Sequence, residues 1–275
     1  MPAEIIPVDD PADPRLAAYR DIRERDLVGR QGRFIAEGKV VLNVLLRHSR
    51  FETESLLLLE NRLAGARGLI EAAPDGVPAY VCPAAVLDAV AGFLVHRGIL
   101  AIGRRGPTRD LDTALGALGD NALVVVLTGL ANHDNIGAIF RNAAAFQADL
   151  IVLDATAGDP LYRKAIRVSV GAALKVPFVR AGAVEEIVDR LSGNGFDCLA
   201  LSPSGGTAID AYRPGRRRAL FFGSEGPGLP EPVMRSMRTV RIPMSEEFDS
   251  LNVAAASAIA LHRLWHEADS GNSAD

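Results

Sequence analysis

Arg218-Ala-Leu-Phe-Phe-Gly-Ser-Glu-Gly-Pro-Gly-Leu229 decides the fold, together with Val240-Arg-Ile-Pro-Met244 and Asp249-Ser-Leu-Asn-Val253 beyond it. A short apolar run that suits a buried strand stops at Gly or Pro, and a polar loop follows before the next helix. Such loops, at the ends of strands, are where open α/β sheets bind their ligands. The pattern therefore predicts an α/β fold whose ligand site is built from these loops.

The glycines of the first stretch argue against a phosphate-binding loop. Gly223, Gly226 and Gly228 are spaced as G-x-x-G-x-G, which is not the dinucleotide fingerprint G-x-G-x-x-G, and the chain contains no G-x-x-x-x-G-K-[ST]. They still allow a close approach between backbone and ligand. Glu225 and Asn252 are the polar groups that the two apolar runs would deliver to that ligand.

Three segments of the chain resemble, in order, the motifs of the SpoU/TrmH family, a branch of the SPOUT superfamily. They are Asn135-Ile-Gly-Ala-Ile-Phe-Arg141, then Gly223-Ser-Glu-Gly-Pro-Gly-Leu229, then Ile242-Pro-Met244 with Ser250-Leu-Asn-Val253. Members of this family are S-adenosylmethionine-dependent RNA 2′-O-ribose methyltransferases. The resemblance implies that enzymatic activity, S-adenosyl-L-methionine as the cofactor and structured RNA as the substrate, with rRNA favoured over tRNA.

The resemblance also implies a fold. It is a C-terminal SPOUT-type parallel sheet with a trefoil knot, preceded by a small α/β RNA-binding domain. We expect a substrate RNA-binding domain over residues 1–105, a linker over 106–118, the methyltransferase domain over 119–269 and a disordered tail over 270–275. The last helix and the helix of the first motif would pair in a homodimer.

Site residues follow from the same motifs. By resemblance Gly223, Ile242 and Leu251 contact the cofactor, with Met244 close by. Arg141 is the residue credited with activating the ribose 2′-hydroxyl, and the residues that orient it, the ribose and the phosphate are Asn135, Glu225, Ser250 and Asn252. No metal is required. Because an arginine with a pKa above about 12 is a poor general base, we interpret Arg141 as an electrostatic stabiliser of the developing alkoxide that also holds a phosphate.

Two positions depart from the family pattern. Ser224 stands where the family usually has the Asn of Gly-Asn-Glu, and Ala254-Ala-Ala follows Ser-Leu-Asn-Val in place of the more usual Ser-Val-Ala. Both replacements are small and should fit. They bear more on which RNA is modified than on activity.

Composition is compatible with a two-domain protein of a reducing compartment. The 275 residues carry a net charge of −4, without the basic excess common in nucleic-acid-binding proteins, although all but three of the 30 basic residues are Arg. Cys82 and Cys198 stand alone, and no signal peptide or apolar span is evident. We expect a cytoplasmic protein that does not enter a membrane.

Periodicity places the motifs on elements. Ala122–Thr128 is a fully apolar strand, as in a sheet covered on both faces. Asn135 is predicted to cap a helix over Ile136–Gln147, and the last helix is predicted over about Leu251–Glu267. Near the N-terminus, Arg15–Asp26 has the charged pattern of a helix.

Arginines cluster at four places, and each cluster has two interpretations, an RNA contact or an ordinary solvated face. The clusters are Arg20, Arg23, Arg25, Arg30 and Arg33; Arg97, Arg104, Arg105 and Arg109; Arg163, Lys164 and Arg167; and Arg213, Arg216, Arg217 and Arg218. An RNA contact is slightly favoured for the second cluster, which has fewer acidic neighbours. The other three are left open.

Two other functions compete with the methyltransferase. One is an RNA-binding assembly factor of the same fold that has lost catalysis, against which stand the retained Asn135, Arg141, Glu225 and Asn252. The other is a nucleotide-dependent enzyme on an ordinary Rossmann sheet. That enzyme needs a Gly-rich turn after its first strand, which Thr128-Gly-Leu-Ala-Asn-His-Asp134 lacks.

Overall fold

The computed structural model describes residues 3–20, 24–91, 97–245, 247 and 249–271. The chain forms two compact units. The first consists of Met1–Pro107 and Pro160–Lys175, and the second of Thr108–Asp159 and Val176–Asp275.

Helices and strands follow one another along the described parts of the chain. Up to residue 107 they are β1 (Ile5–Pro7), α1 (Glu24–Arg30), β2 (Arg33–Glu37), α2 (Lys39–His48), β3 (Glu52–Leu59), α3 (Leu63–Ile70), β4 (Ala79–Cys82), α4 (Ala84–Ala91) and β5 (Ile99–Arg104). Next come α5 (Leu111–Gly116), β6 (Ala122–Leu127), α6 (His133–Ala145), β7 (Leu150–Leu153), α7 (Arg163–Val168) and α8 (Ala172–Lys175). The remainder are β8 (Phe178–Arg180), α9 (Val184–Gly193), β9 (Asp197–Leu201), β10 (Thr207–Ala208), β11 (Arg217–Phe222), α10 (Glu231–Arg235), β12 (Arg238–Arg241) and α11 (Val253–Gly271).

The first unit contains a mixed sheet in the order β1-β4-β3-β5-β2. Strands β1, β4 and β3 are parallel, whereas β5 runs antiparallel to both β3 and β2. The middle of β3 is fully buried, and α4 contributes Val86, Leu87 and Val90 to the core on one face. The buried Tyr19 hydroxyl is 2.8 Å from the Ser55 hydroxyl, so the polar atoms of this core are paired.

A segment from the middle of the chain completes the first unit. Helix α7 packs on β2 and α8 packs on α2. The Arg163 guanidinium lies 3.1 Å from the Glu37 carboxylate, which is only 2% exposed. A Cβ on Gly171 would stand 3.0 Å from the Cβ of Val44. The methyltransferase domain over 119–269 stays a prediction, and within that range residues 160–175 pack with the N-terminal region.

The second unit is built on a seven-stranded sheet in the order β10-β12-β9-β11-β6-β7-β8. All neighbouring strands are parallel, with Phe222 opposite Leu127 at the ends of the central pair. Every residue of β6 is buried, as expected for a strand covered on both faces. The predicted fold class, an α/β protein with a large parallel sheet, is confirmed.

Apolar side chains fill both faces of this sheet. On one face Val124, Val126 and Phe221 join Ile187 and Leu191 of α9 in a single core. Helix α6 packs against α11, and the Phe140 ring meets the Phe178 ring edge to face at 5.7 Å.

Two helix starts differ from the prediction. Helix α6 begins at His133, with the Asn132 side chain accepting from the Asp134 amide at 2.9 Å, so Asn135 is not the cap but a buried residue of the first turn. An acidic Asp134 in that turn is favourable at the positive end of the helix dipole. Helix α11 is capped by Asn252, whose Oδ1 accepts from the Ala254 amide at 2.9 Å.

Other predicted boundaries were also wrong. Arg15–Asp26 is not one helix, because Pro14–Tyr19 forms a 3₁₀ turn capped by Asp13 and α1 starts only at Glu24. The expected linker 106–118 contains α5, capped by Asp110. The last helix continues through Gly271, and the rest of the expected disordered tail lies outside the described residues. In the described parts of the chain, no helix has the length and apolar character needed to cross a membrane.

Candidate functional site

A cavity of about 350 Å³ opens at the carboxyl ends of three adjacent strands, β12, β9 and β11. Its lining comes from the loops after those strands and from the start of α11. The lining residues are Leu201, Ser202, Pro203, Phe222, Gly223, Ser224, Glu225, Gly226, Gly228, Ile242, Met244, Ser250, Leu251, Asn252, Val253 and Ala256. This edge of a parallel sheet is where ligands of open α/β folds bind.

Seven of the nine residues singled out in the sequence line this one cavity. They are Gly223, Glu225, Ile242, Met244, Ser250, Leu251 and Asn252. The side chains of Met244 and Leu251 are 36% and 41% exposed, which is high for large apolar residues. An apolar part of a ligand would cover them and remove that surface from water.

Backbone crowding explains the glycines of the cavity wall. A Cβ on Gly223 would stand 2.2 Å from the carbonyl carbon of Gly228. In the loop that follows the lining residues Ser202 and Pro203, a Cβ on Gly205 would stand 2.4 Å from the carbonyl carbon of Val240. The turn after Gly223 is closed by a bond from the Gly228 amide to the Ser224 carbonyl, 3.1 Å, and Gly226 and Gly228 both have positive φ. Only glycine fits such positions without strain.

A chain of three polar side chains lies at the wall of the cavity. The Asn135 amide nitrogen donates to the Glu225 carboxylate, and the Asn252 amide nitrogen donates to the Asn135 oxygen at 3.1 Å. The Asn252 oxygen accepts from the backbone amides of Ala254 and Ala255, at 2.9 and 3.4 Å. Asn135, although it does not line the cavity, thus holds two residues that do.

The direction of every bond in this chain is fixed by its two ends. Backbone amides only donate, so the Asn252 oxygen must face them and its nitrogen must face Asn135. The Asn135 oxygen then accepts, and its nitrogen is left to donate to the Glu225 carboxylate. The chain therefore presents a carboxylate of defined orientation at the cavity.

Arg141 is not part of this constellation. It lies on α6, six residues beyond Asn135, with an exposed side chain. Among the residues that the structure describes it has no hydrogen-bond or ion-pair partner, and Glu225 is bound to Asn135. Its guanidinium is therefore available for the phosphate that we expect it to hold.

The densest arginine run lies at the opposite end of the sheet. Arg217 and Arg218 open β11 at its amino end, five residues and roughly 17 Å from Gly223. Arg218 is 5% exposed and donates to the Asn121 side chain at 2.8 Å, and burial lowers its pKa. The Arg217 guanidinium lies over the Phe196 ring at 4.4 Å. Both residues have structural contacts far from the cavity.

Three groups that the sequence did not reveal help to build the site. Asn132 caps α6, and Asn142 and Ser257 join α6 to α11. The pair Gly205-Gly206 was a usable signal for close backbone approach, whereas the pairing of Asn142 with Ser257 depends on how two helices distant in sequence are aligned. The His262 ring packs edge to face on the Phe146 ring, with the ring centroids 5.5 Å apart. The side chain of His266, four residues later and a possible second metal ligand, lies outside the described part of the chain.

Comparison with known proteins agrees with this fold. The model of the SpoU rRNA Methylase family matches residues 122–262. An uncharacterized tRNA/rRNA methyltransferase of Mycobacterium bovis is 41% identical over 265 residues, which span 93% of this chain and 90% of that protein.

Solved structures share the architecture. The SpoU methyltransferase AviRb of Streptomyces viridochromogenes, in complex with the cofactor AdoMet, has a TM-score of 0.80 at 22% identity and covers 94% of this chain and 99% of its own. A structure describing 2-OH methylation of C/U34 on tRNA has a TM-score of 0.51 at 27% identity and covers 55% of this chain and 99% of its own.

Fold, cavity and motifs together define an RNA methyltransferase of the SPOUT class. This chain belongs to the SpoU rRNA methylase family, as the resemblance predicted. SpoU methyltransferases use S-adenosylmethionine, which confirms the predicted cofactor class.

Proposed function

We propose that this protein transfers a methyl group from S-adenosylmethionine to the 2′-hydroxyl of a ribose in ribosomal RNA. The observation that carries the proposal is the chain Glu225–Asn135–Asn252 beside the glycine-walled cavity. Three motifs far apart in sequence supply one side chain each, and each side chain is oriented by the next.

The residues of the cavity fit the cofactor. Its volume of about 350 Å³ lies within the range of small-molecule sites. Ile242, Met244 and Leu251 offer apolar surface to a base, and the backbone near Gly223 can approach because a Cβ there is excluded. When bound, the cofactor supplies an electrophilic methyl group on a sulfonium sulfur.

The side chains of the wall act on the ribose. The ionised Glu225, held by Asn135, accepts a hydrogen bond from a ribose hydroxyl and so sets its direction. Asn252 fixes Asn135 and is itself fixed by the first turn of α11. Ser250, in the same wall, is a further hydroxyl available to the RNA.

Arg141 supplies the positive charge. Its side chain is exposed and unpaired within the described part of the chain, so its guanidinium is available for an RNA phosphate. A fixed cation near the nucleophile stabilises the alkoxide that develops as the hydroxyl loses its proton. We assign Arg141 that electrostatic role rather than the role of a base, since a guanidinium carries five N–H donors and no acceptor.

The ribose 2′-oxygen is supported as the acceptor by the structure that describes 2-OH methylation and is 27% identical. Ribosomal RNA is supported by the first unit, whose charge balance is opposite to that of the second. This unit has eighteen Lys and Arg against fourteen Asp and Glu, a net charge of +4, while the second unit has a net charge of −8. A separate unit with a basic excess suits the binding of structured RNA. A homodimer remains a prediction from the family.

The decisive experiment transfers label from tritiated S-adenosylmethionine to total RNA of a strain that lacks the gene. The RNA is then fractionated and digested with nucleases to locate the methyl group. We expect label on a ribose in ribosomal RNA. Label on a base would contradict the ribose assignment, and label in tRNA alone would contradict the choice of RNA. No transfer, with no cofactor binding by calorimetry, would instead support the non-catalytic RNA-binding protein.

A further inference from the structure

Helix α6 is joined to the start of α11 at two points by two asparagines. Asn135 and Asn142 are seven residues apart, which is about two helical turns, so they share one face of α6. Asn135 bonds to Asn252 in the chain described above. Asn142 donates from Nδ2 to the Ala254 carbonyl at 2.9 Å and to the Ser257 hydroxyl at 2.8 Å.

The second contact fixes the alignment of the two helices. Ser257 is fully buried, and its hydroxyl donates to the Ala254 carbonyl at 2.8 Å, so its oxygen is free to accept from Asn142. A shift of α11 by one residue would bring Ala256 or Ala258 to Asn142, and neither has a hydroxyl. Such a shift would leave a partly buried amide without its partner, which is costly.

The alignment matters because Asn252 is the cap of α11. Its oxygen is bound to the amides of Ala254 and Ala255, and the carbonyl of Ala254 is bound by Asn142. The Asn252 side chain can therefore reach Asn135 only while the first turn of α11 stays where Asn142 holds it. We propose that Asn142, paired with Ser257, is a positioning residue that sets Asn252 against Asn135 and Glu225.

This inference rests on the proposed function for its effect on catalysis but not for its geometry. A double-mutant cycle separates positioning from general stability. We expect Asn142→Ala to lower kcat for RNA methylation about five- to tenfold. In an Asn252→Ala background the same substitution should change kcat less than twofold, because the side chain that it positions is gone. Equal losses in both backgrounds, or an unchanged kcat in the first, would overturn the proposal.

A second measurement needs no activity. Hydrogen exchange of the Ala254 and Ala255 amides should become faster in Asn142→Ala, with the amides of β6 unchanged. Unchanged exchange at the two capped amides would overturn the positioning role even if the wild-type protein proved inactive on RNA. Failure of wild-type methylation with faster exchange would instead contradict the proposed function alone.

Two further variants complete the test. Asn142→Asp keeps the shape of the side chain, but its carboxylate cannot donate a hydrogen bond. It should therefore show the same lower kcat and the same faster exchange, and it replaces the alanine variant if that variant does not fold. Asn194→Ala serves as the matched control, because its exposed side chain donates at 2.8 Å to the Arg190 carbonyl at the end of α9. Neither kcat nor exchange at α11 should change in this variant.

Discussion

Gly223 is the residue at which the cavity tolerates least change. A Cβ there would stand 2.2 Å from the Gly228 carbonyl carbon and 2.3 Å from the Leu229 nitrogen, and backbone atoms in a closed turn cannot move aside. We expect Gly223→Ala to abolish cofactor binding, measured by calorimetry, and to lower the melting temperature by several degrees.

Gly215 gives the matched control for this substitution. It has no atom near its Cβ position and no positive φ, so Gly215→Ala should leave both cofactor binding and the melting temperature nearly unchanged. Normal cofactor affinity in Gly223→Ala would show that the turn is not part of the cofactor site.

Arg141 should affect turnover without affecting the cofactor, because it does not line the cavity. We expect Arg141→Ala to reduce methyl transfer by at least a hundredfold, as for removal of a group that stabilises developing charge, with an unchanged calorimetric Kd for S-adenosylmethionine. Arg190→Ala, which removes an exposed arginine paired with Asp112, is the control and should retain activity. Weakened cofactor binding in Arg141→Ala would contradict the role assigned here.

The sequence motifs predicted which residues lie around the cavity, but not the hydrogen bonds that join their side chains. Seven motif residues lie around one cavity because parallel strands bring their carboxyl ends to one edge, which a sequence pattern can convey. The cap of α6 was misplaced because Asn132, Asp134 and Asn135 are all good capping residues within four positions. The partner of Asn142 lies 115 residues away, and no local pattern contains it.

Among the elements, β2, β3 and β5 carry a charge arrangement that should respond to pH. Arg33 and Arg104 stand opposite each other on neighbouring strands, and both donate to Glu54 of β3 at 2.8 Å. Burial alone would raise the pKa of Glu54, but the bonds from Arg33 and Arg104 outweigh it and hold the pKa below 4.5. Like charges placed opposite each other are destabilising unless neutralised.

Glu54→Gln should therefore lower the stability of the first unit at pH 7, by about 0.5–1 kcal/mol for such a partly exposed pair. Because the folded pKa of Glu54 is depressed, this contribution is present above pH 4.5 and is lost as the pH falls through the folded value. Thermal unfolding at several pH values should show the difference in stability between the two proteins shrinking as the pH falls below 4.5. A constant difference would contradict the ion-pair explanation.

Glu231→Gln is the control for that series. Glu231 pairs with Arg235 one turn later, and both side chains are at least 70% exposed, so its loss should change stability by less than about 0.5 kcal/mol at any pH.

At the element scale, apolar strands were easier to predict than charged helices. Because β6 is buried on both faces, every one of its residues is apolar, and such a run predicts a buried strand. Arg15–Asp26 alternates charges in a way that satisfies a helix, yet Pro14 and the Asp13 cap produce a 3₁₀ turn that ends at Tyr19, whose ring is buried in the core. Tertiary burial of one aromatic residue overrode the local pattern.

For the whole molecule, the separation of charge predicts where RNA binds. Residues 160–175 contain four basic residues and no acidic one, and the side chains of Arg167 and Lys175 are exposed. We expect the double substitution Arg167→Gln and Lys175→Gln to weaken the salt dependence of RNA binding. The slope of the logarithm of the RNA-binding constant against the logarithm of the salt concentration should become smaller in magnitude by about 1 to 2, as the loss of two phosphate contacts would cause. Filter binding over a salt series measures this slope.

Arg190→Gln with Arg235→Gln is the matched pair from the acidic unit. These two arginines are exposed and ion-paired, and their loss removes the same charge. An equal change of slope in both pairs would indicate a general charge effect and would contradict a binding surface on the first unit.

The division of the chain into two units was the part of the fold that was hardest to predict from the sequence. Residues 160–175 have the basic and apolar pattern of an ordinary connection between β7 and β8, and only the buried Glu37 and the close approach of Gly171 to Val44 show where they pack. Such contacts depend on three-dimensional folding and leave no local signal. The trefoil knot stays a prediction for the same reason.

The chain crosses between the two units three times, after Pro107, Asp159 and Lys175. A single cut at the first crossing, by a protease site inserted between Pro107 and Thr108, would therefore not release two separate proteins. The larger fragment would still contribute α7 and α8 to the smaller one, and the two should migrate together in gel filtration. A gene fragment that begins at Thr108 would lack β2 and α2 and leave the apolar faces of α7 and α8 uncovered. The N-terminal region therefore folds together with α7 and α8 from the middle of the chain and is not a separable domain.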